Sequence, residues 1–396
     1  MMTLAPSIDP GISRAVALRH RLHQIPEIAY EEFETAAVIR AELDSLGIAY
    51  IPGVPDAPTA TIAWIGDLTR PCVALRADID ALPILERTGL PYASTHPGMM
   101  HACGHDGHTA TLAGIAGILK SIESQLPVCV KFIWQPAEEG GGGAERLVEA
   151  GVLDGSLGPK VSAIFGLHGW PGLKVGMVAT RPGILLAATD TFSVTFVGRG
   201  CHGAYPHLGI DPIVTACEAV MNLQQFVSRE FDPTDSAVIT IGKFNAGTAT
   251  NVIPDTAVIE GTARTLHDLA RKRIRESIDR RCSAIAEANL CESRLDWIEG
   301  YPPTVNDPAM ADYVARIAKQ ALGADHYFPV PRPSMGGEDF SYYLEKVPGC
   351  FFFVGVEPLE KDTYPSLHSD HYDFTDAAVA TGIKMFHELI MNFPSP

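Results

Sequence analysis

The eight residues from His101 to His108 concentrate side chains that bind metals. The run reads HACGHDGH and contains three histidines, one cysteine and one aspartate. Cys103 and His105 stand on either side of a glycine, so a turn there can direct both donors toward one point. A thiolate and an imidazole suit zinc and other late first-row divalent metals better than magnesium or calcium. Taken alone, the run is more typical of a polar loop before the helix that starts near Thr109, so a metal site requires donors from elsewhere in the chain.

Other predicted strands end in suitable donors. Glu138 and Glu139 follow the apolar run VKFIWQ, His168 ends the run AIFGLH, and His368 lies in a loop before the last helix. Adjacent side chains diverge, so one carboxylate of the glutamate pair can bind a metal while its neighbour handles a proton. A single acid or histidine of this kind is usually solvated or structural, but four strand-end donors together favour a site.

The elements that position these donors alternate between helix and strand. Residues 13–46 carry apolar positions at helical spacing and end at Gly47. Four β-rich runs follow, TATIAWIG, CVALRAD, VCVKFIWQ and AIFGLH, with the helical run TATLAGIAGILKSI between the second and the third. This order predicts an α/β domain with a mixed, mainly parallel sheet. Ligands usually bind at the strand ends of such sheets.

The middle of the chain has a different pattern. From Asp190 the order is strand, helix, strand, strand, helix, strand, which is typical of a ferredoxin-like sandwich. After the run YPPTVND the α/β pattern resumes. The sequence therefore predicts a catalytic α/β domain in two parts, residues 1–186 and 301–396, with a ferredoxin-like βαββαβ domain inserted at residues 187–300.

Composition excludes several classes of protein. The 396 residues are 46% hydrophobic, enough for a large core and two domains. A formal charge of -17 argues against nucleic acid as a partner, because binding phosphates needs a basic surface. No apolar run is long enough to cross a membrane and the N-terminus lacks an apolar signal core, so we expect a cytoplasmic protein. The eight cysteines show no framework spacing and are expected to be mostly reduced thiols.

Eight motifs, in order along nearly the whole chain, carry a family resemblance. They are RADIDALP, HACGHDGH, QPAEEGGGGA, GLHGWP, GCHGAYPH, NVIPDTAVIEGTART, MGGEDFSYY and LHSDHYDF. The sequence resembles the metal-dependent aminoacylase and carboxypeptidase family, and within it the amidohydrolases that include hippurate hydrolase, N-acyl-L-amino acid amidohydrolase and auxin-conjugate hydrolases. The resemblance implies a zinc-exopeptidase-like catalytic domain, with the inserted domain serving as a lid and in dimerisation.

The resemblance also implies roles for individual residues. Two divalent ions of zinc, manganese, nickel or cobalt would bind to a set of five ligands, which are Cys103, His105, Glu139, His168 and His368. Three residues would be catalytic: Glu138 as general base, Asp78 as the residue that orients a ligand histidine, and His202, which in relatives reaches the active site of the partner subunit. Asn251 and Arg264 would bind the substrate. We expect a homodimer, or a tetramer, formed through the inserted domain.

These roles imply hydrolysis of the amide bond of N-acyl amino acids, such as hippurate, to a carboxylate and a free amino acid. A metal-activated water would attack the amide, with Glu138 as general base. Two alternatives stay open: a dipeptidase or aminopeptidase that uses the same metals, and a non-catalytic metal-binding protein. The preferred acyl group and amino acid do not follow from the sequence.

Some positions depart from the family pattern. Gly169 replaces a bulkier residue, and Cys201 beside His202 replaces a glycine. His371 lies three residues after His368 and competes with it as a candidate ligand. His101 and His108, which flank the Cys103 pair, are expected to hydrogen-bond to the site rather than to bind metal.

Overall fold

The computed structural model describes residues 9–232 and 235–394. The chain forms two compact units. The first comprises the chain up to Leu185 together with Val305–Arg332 and the residues from Asp339 onward, and the second comprises Leu186–Thr304 and Pro333–Glu338. We call them the discontinuous unit and the inserted unit.

Helices and strands alternate along most of the described chain. The helices are α1 (Asp9–His23), α2 (Phe33–Leu46), α3 (His105–Ser121), α4 (Gly143–Glu149), α5 (Pro212–Glu230), α6 (Asp268–Ala288), α7 (Pro308–Leu322), α8 (Ser341–Leu344) and α9 (Asp376–Met391). The strands are β1 (Tyr50–Ile51), β2 (Thr61–Ile65), β3 (Cys72–Asp78), β4 (Cys129–Gln135), β5 (Val161–Lys174), β6 (Val178–Thr180), β7 (Gly183–Leu186), β8 (Ala188–Val197), β9 (Cys201–His202), β10 (Ala237–Ala246), β11 (Val252–Ile253), β12 (Thr256–Thr265), β13 (Glu292–Glu299), β14 (Thr304–Asn306), β15 (Tyr327–Pro329) and β16 (Gly349–Glu357).

The discontinuous unit is built on an eight-stranded sheet with the order β1-β2-β4-β3-β5-β16-β6-β15. Its centre is parallel, because β4, β3, β5 and β16 pair with one another in that direction, whereas β1, β2 and β6 introduce antiparallel pairs. Every residue of β3, β4 and β16 is buried. The continuous apolar runs of these strands therefore form the core, as expected for a sheet covered on both faces.

The first helical stretch is two helices rather than one. The apolar spacing over residues 13–46 predicted helix throughout, but α1 ends at His23 and α2 begins at Phe33. Pro26 lies in the interruption, where its ring and missing N–H disfavour a continuous helix. Gly47 ends α2 with a φ of 63°, so the predicted C-terminal glycine lies in the left-handed region.

The inserted unit has a four-stranded antiparallel sheet with the order β10-β12-β8-β13. Buried side chains of α5 and α6, such as Phe226 and Ile278, share one core with sheet residues such as Phe192 and Ile259. This is the ferredoxin-like arrangement, and the predicted fold class is confirmed. The chain passes between units at Leu186 and Thr304, and Pro333–Glu338 also belongs to the inserted unit, which the sequence did not suggest.

Within residues 9–232 and 235–394, no helix combines the length and the apolar character required to traverse a bilayer. The first eight residues, which carry most of the N-terminal stretch used in the sequence-based expectation, lie outside the described residues.

Candidate metal centre

The donor residues lie at one edge of the large sheet. In the parallel pairing of β3 with β4, Asp78 is opposite Gln135, and in that of β3 with β5, Arg76 is opposite Gly166. The C-terminal ends of β3 and β4 are therefore level with the part of β5 near Gly166, although β5 itself continues to Lys174, past the end that the sequence predicted at His168. Glu138 follows β4 by three residues, and His168 lies two residues beyond Gly166. Strand register thus brings together residues that are far apart in the sequence.

A tight turn presents Cys103 and His105 at this edge. Gly104, between them, has a φ of 87°, a conformation that L side chains rarely adopt. A Cβ atom there would lie 2.9 Å from the Phe374 ring and 3.0 Å from the Tyr372 hydroxyl. The glycine is therefore required both by its backbone conformation and by the close approach of two aromatic side chains.

The donor atoms form overlapping groups, each within 4.8 Å. Three of the five groups found among the described residues are Cys103 with His105 and His168, Cys103 with Glu139 and His368, and His105 with Glu138 and Glu139. The Cys103 thiol lies 3.3 Å from Nε2 of His168, and Nε2 of His368 lies 3.1 Å from Oε1 of Glu139. The groups overlap, because Cys103, His105 and Glu139 each belong to more than one of them.

Asp80 orients His105. Nδ1 of His105 donates to the Asp80 carbonyl at 2.9 Å and to its carboxylate at 3.2 Å. The Nε2 lone pair is therefore left for a ligand, and this atom has no hydrogen-bond partner among the described residues. The Asp80 carboxylate also accepts the backbone N–H of Glu139 at 2.9 Å. Sequence reasoning missed Asp80, although it stands two residues after Asp78 in the same motif.

Asp78 instead orients His108. Its carboxylate accepts from Nδ1 of His108 at 2.7 Å and from Arg76 at 2.6 Å, whereas Nε2 of His105 lies 3.8 Å away. Burial would raise the pKa of Asp78, but the charges of His105, His108 and Arg76 hold it well below its usual value. The contact expected from Asp78 to a candidate ligand histidine is thus made by Asp80.

His108 is occupied at both ring nitrogens. Nδ1 donates to Asp78, and Nε2 accepts the backbone N–H of Gly169 at 2.8 Å. It therefore supports the strand segment that carries His168, which agrees with the hydrogen-bonding role expected from the sequence. The same expectation for His101 is not met: its ring is buried, and neither nitrogen has a hydrogen-bond partner within the described part of the chain.

The protonation states around Cys103 are those expected at a site that binds a cation. Burial, and then the negative charge of Glu139, raise the pKa of the Cys103 thiol well above its usual value. Burial and the neighbouring His108 lower the pKa of His168, so its ring is neutral. Nδ1 of His168 donates to the Gly169 carbonyl at 2.7 Å, which leaves the Nε2 lone pair facing Cys103. A cation among these atoms would favour the thiolate and bind the lone pair.

His368 and His371 differ in their surroundings. His368 has a φ of 65°, and its backbone N–H donates to the Ala102 carbonyl at 2.9 Å, which ties its loop to the Cys103 turn. Nδ1 of the exposed His371 lies 2.7 Å from the carboxylate of its neighbour Asp370. Within the described residues, His368 belongs to a metal-type group and His371 does not.

The three remaining predicted residues lie in the inserted unit. His202 is on β9, which pairs with β11, and the Asn251 carbonyl accepts the N–H of Gly203 at 2.7 Å. Nδ1 of His202 accepts the N–H of Ala204 at 3.0 Å, so the ring proton is on the exposed Nε2. Arg264 lies on β12, half-buried, and burial lowers the pKa of its guanidinium from its usual value.

The donor set fits a late first-row divalent cation. It combines a thiol, imidazoles with Nε2 lone pairs and carboxylates, which are the ligand types of zinc and its neighbours. Magnesium and calcium prefer sites built from oxygen alone.

We expect Asp80→Asn to weaken metal binding by about ten- to a hundredfold, because it removes the charge that orients His105. Titration with zinc against a competing chelator measures this change directly. Asp56→Asn, an exposed aspartate of the same unit, serves as the matched control and should bind as the wild type does. Equal affinities in the two variants would contradict the role assigned to Asp80.

A buried acid supports the glutamate loop. Ala137, immediately before Glu138, has a φ of 59° and donates its N–H to the Glu32 carboxylate at 3.0 Å. Thr59 donates to the same carboxylate at 2.7 Å. Burial raises the pKa of Glu32 from 4.5 to about 7. The acid therefore binds its proton more tightly in the folded chain than in the unfolded one.

A raised carboxyl pKa predicts stability that falls as pH rises. Between about pH 4.5 and 7 the folded chain retains the Glu32 proton that the unfolded chain has lost, so the free energy of unfolding should decrease by about 3 kcal/mol over that range. Glu32→Gln mimics the protonated acid and should remove this part of the pH dependence. Denaturant unfolding of both proteins at pH 5 and 7.5 tests it, and parallel pH profiles would contradict it.

Comparisons with known proteins agree with a metal centre formed by these donor residues. The family model of peptidase family M20/M25/M40 matches residues 74–392. The chain is 45% identical, over 86% of its length and 80% of the relative, to an N-acetyl-L-cysteine deacetylase of Bacillus subtilis. It is 41% identical, over 93% of its length and 83% of the relative, to the IAA-amino acid hydrolase ILR1-like 4 of Arabidopsis thaliana.

A solved structure leads to the same family. A dinuclear metal-binding peptidase of the M20 family from Bacillus subtilis superposes with a TM-score of 0.81 at 37% identity, over 97% of this chain and 98% of the other. The resemblance drawn from the eight motifs is confirmed, and divalent metal ions are the cofactor. The chain belongs to peptidase family M20/M25/M40 and is a metal-dependent amidohydrolase.

Proposed function

We propose that this enzyme hydrolyses the amide bond of N-acyl amino acids and releases a carboxylate and a free amino acid. The observation that carries the proposal is the Glu138 carboxylate, 7% exposed, within 4.8 Å of donor atoms of His105 and Glu139. A structural metal site has no use for a base beside its ligands. Two relatives, a deacetylase of N-acetyl-L-cysteine and a hydrolase of IAA-amino acids, support the substrate class.

We assign two divalent ions to the centre, held by Cys103, His105, Glu139, His168 and His368. The overlap of the donor groups, in which Cys103, His105 and Glu139 each belong to more than one, supports a dinuclear site. Ions of this kind lower the pKa of water and polarise a carbonyl group. Zinc, manganese, nickel and cobalt all accept this donor set, and availability decides among them.

Glu138 handles the proton of the attacking water. Its carboxylate accepts that proton as the amide carbonyl is attacked and returns it to the leaving nitrogen, so that the amino acid departs as a neutral amine. Glu139 serves as a ligand instead, because its backbone is held by Asp80 and its carboxylate lies beside His368. The two adjacent glutamates thus have different roles: Glu138 transfers the proton and Glu139 binds the metal.

For three residues of the inserted unit we propose the catalytic or substrate-binding roles that the family resemblance implies. The protonated Nε2 of His202 can donate to a developing oxyanion, an interaction that contributes roughly 3 to 4 kcal/mol in comparable sites. Arg264 supplies a cation for the substrate carboxylate in an otherwise acidic chain. Asn251 would contact the substrate backbone through its side-chain amide.

We also propose a homodimer formed through the inserted unit. Its edge strand β10 exposes Val238 and Phe244, and α5 exposes Val214 and Met221. An exposed edge strand beside apolar side chains favours association. Phe244→Lys is expected to shift sedimentation toward the monomer, whereas Leu269→Lys, at an exposed leucine on α6, should not. Unchanged sedimentation of Phe244→Lys would argue against this interface.

The experiment that tests the function compares two substrate classes at equal concentration. Metal-loaded enzyme is offered N-benzoyl and N-acetyl amino acids in one series and unblocked dipeptides in the other, and liquid chromatography quantifies the released amino acid. We expect turnover in the acylated series. Preference for dipeptides would replace the proposal with a peptidase function, and metal binding without turnover of either series would favour a non-catalytic role.

A further inference from the structure

Two buried cysteines lie side by side at the N-terminal ends of β3 and β4. The metal centre lies at the C-terminal ends of the same strands. Cys72 begins β3, Cys129 begins β4, and they are register partners in the parallel pairing of the two strands. Cys72 is 2% exposed and Cys129 is 0% exposed. Paired residues of neighbouring strands project to the same face of the sheet, so the thiols are neighbours.

The distance between these strands suits a disulfide bond. Neighbouring strands lie about 4.8 Å apart, which falls inside the range of Cα separations of about 4.4 to 6.8 Å found in disulfides. Because the two residues are opposite each other in the register, little movement is needed to bring the two sulfurs into bonding contact.

A buried cation accompanies the pair. Lys131 lies two residues after Cys129 on β4, and therefore on the same face. Its Nζ donates to the carbonyls of Val152 and Leu157, each at 2.7 Å, and its charge acts on both thiols. A thiolate stabilised by a nearby lysine is the reactive form of cysteine.

On one side of the buried pair, Cys72 borders a surface cavity. The cavity has a volume of about 550 Å³ and is lined by Cys72 together with Trp64, Gly158 and Ser162. A small oxidant can enter such a space. Because β3 rises about 3.3 Å per residue from Cys72 to Asp78, the pair lies on the order of 20 Å from the metal centre and takes no part in the hydrolysis proposed above.

We propose that Cys72 and Cys129 form a peroxide-sensitive dithiol that closes to an intramolecular disulfide. The Cys72 sulfur attacks one oxygen of hydrogen peroxide and the O–O bond breaks. The Cys72 proton passes to the departing hydroxide, so that Cys72 becomes a sulfenic acid and one water leaves. Cys129 then attacks the Cys72 sulfur, the S–O bond breaks and a second water departs. Both sulfurs are oxidised, one peroxide is reduced, and a thiol reductant reverses the change.

The test maps cysteine states in the metal-loaded full chain. The protein is treated with hydrogen peroxide, the remaining thiols are alkylated in denaturant, and peptides are analysed without reductant by mass spectrometry. We expect a peptide pair joined through Cys72 and Cys129, lighter by two hydrogen atoms and separated by dithiothreitol. Recovery of both cysteines as alkylated thiols, or linkage of either to another cysteine, would overturn the proposal.

Variants distinguish this pair from general oxidation. In Cys129→Ser the Cys72 sulfenic acid cannot close and should be trapped by dimedone, whereas Cys282→Ser, at a buried cysteine of the inserted unit, should leave the linkage intact. If Cys129→Ser does not fold, phenylarsine oxide offers an independent measurement on the wild type. One arsenical per chain should protect Cys72 and Cys129 together from alkylation, and protection of neither would refute the dithiol.

Discussion

Glu138→Gln is expected to lower kcat by about a hundred- to ten-thousandfold while the metal content remains that of the wild type. Glutamine keeps the shape of the side chain but cannot accept the proton of the attacking water. The neighbouring ligand Glu139 keeps its contacts with Asp80 and His368, so the centre should still assemble. Initial rates on an N-acyl amino acid, paired with metal analysis of the same sample, measure both quantities.

A control separates the base from general effects of lost charge. Glu149→Gln removes an exposed carboxylate on α4, a few residues further along the same segment, and should retain wild-type rates. If Glu138→Gln also loses its metals, Glu138 is a ligand rather than the base. If it keeps both metals and full activity, the proton is handled by another group.

Cys103→Ala is expected to abolish turnover and reduce metal content from about two ions per chain to less than one. The reason is that the Cys103 sulfur belongs to two donor groups, one with His105 and His168 and one with Glu139 and His368, so its removal weakens both at once. Metal analysis after gel filtration, with activity measured in excess zinc, checks this result.

Cys350→Ala is the matched control, because this cysteine is buried on β16 in the same unit and belongs to none of the metal-type groups found among the described residues. It should keep its metals, with at most a modest loss of stability. A Cys103→Ala protein that binds two ions as tightly as the wild type would show that the Cys103 thiol is not a required ligand of either donor group.

Element order was readable from the sequence because periodicity is a local property. The apolar runs of β3, β4 and β16, and the βαββαβ order of the inserted unit, follow from spacing alone. The break between α1 and α2 was missed, since apolar spacing continues through a segment whose backbone the proline interrupts. Pro333–Glu338 was missed as well, because six residues carry no periodic signal of the unit they join.

The residue types of the site could be predicted from the sequence, but the contacts between the side chains could not. Donor chemistry and strand ends identified Cys103, His105 and Glu139, which the structure brings together. Asp78 and Asp80 are both acids at the end of β3, and nothing in the sequence indicates which of them hydrogen-bonds to His105. That choice depends on side-chain direction and on where α3 begins, which are three-dimensional facts.

The discontinuity of the larger unit has a consequence for the order of events during synthesis. Strand β16 pairs with β5 along most of the length of β5, and Phe353 is opposite His168. The centre of the sheet therefore cannot be completed until residues near the end of the chain have been synthesised. All four strands of the ferredoxin-like sheet leave the ribosome earlier. Domains generally fold as units as the chain emerges. We therefore expect the inserted unit to fold first on the nascent chain, and metal capture to be among the last steps of maturation.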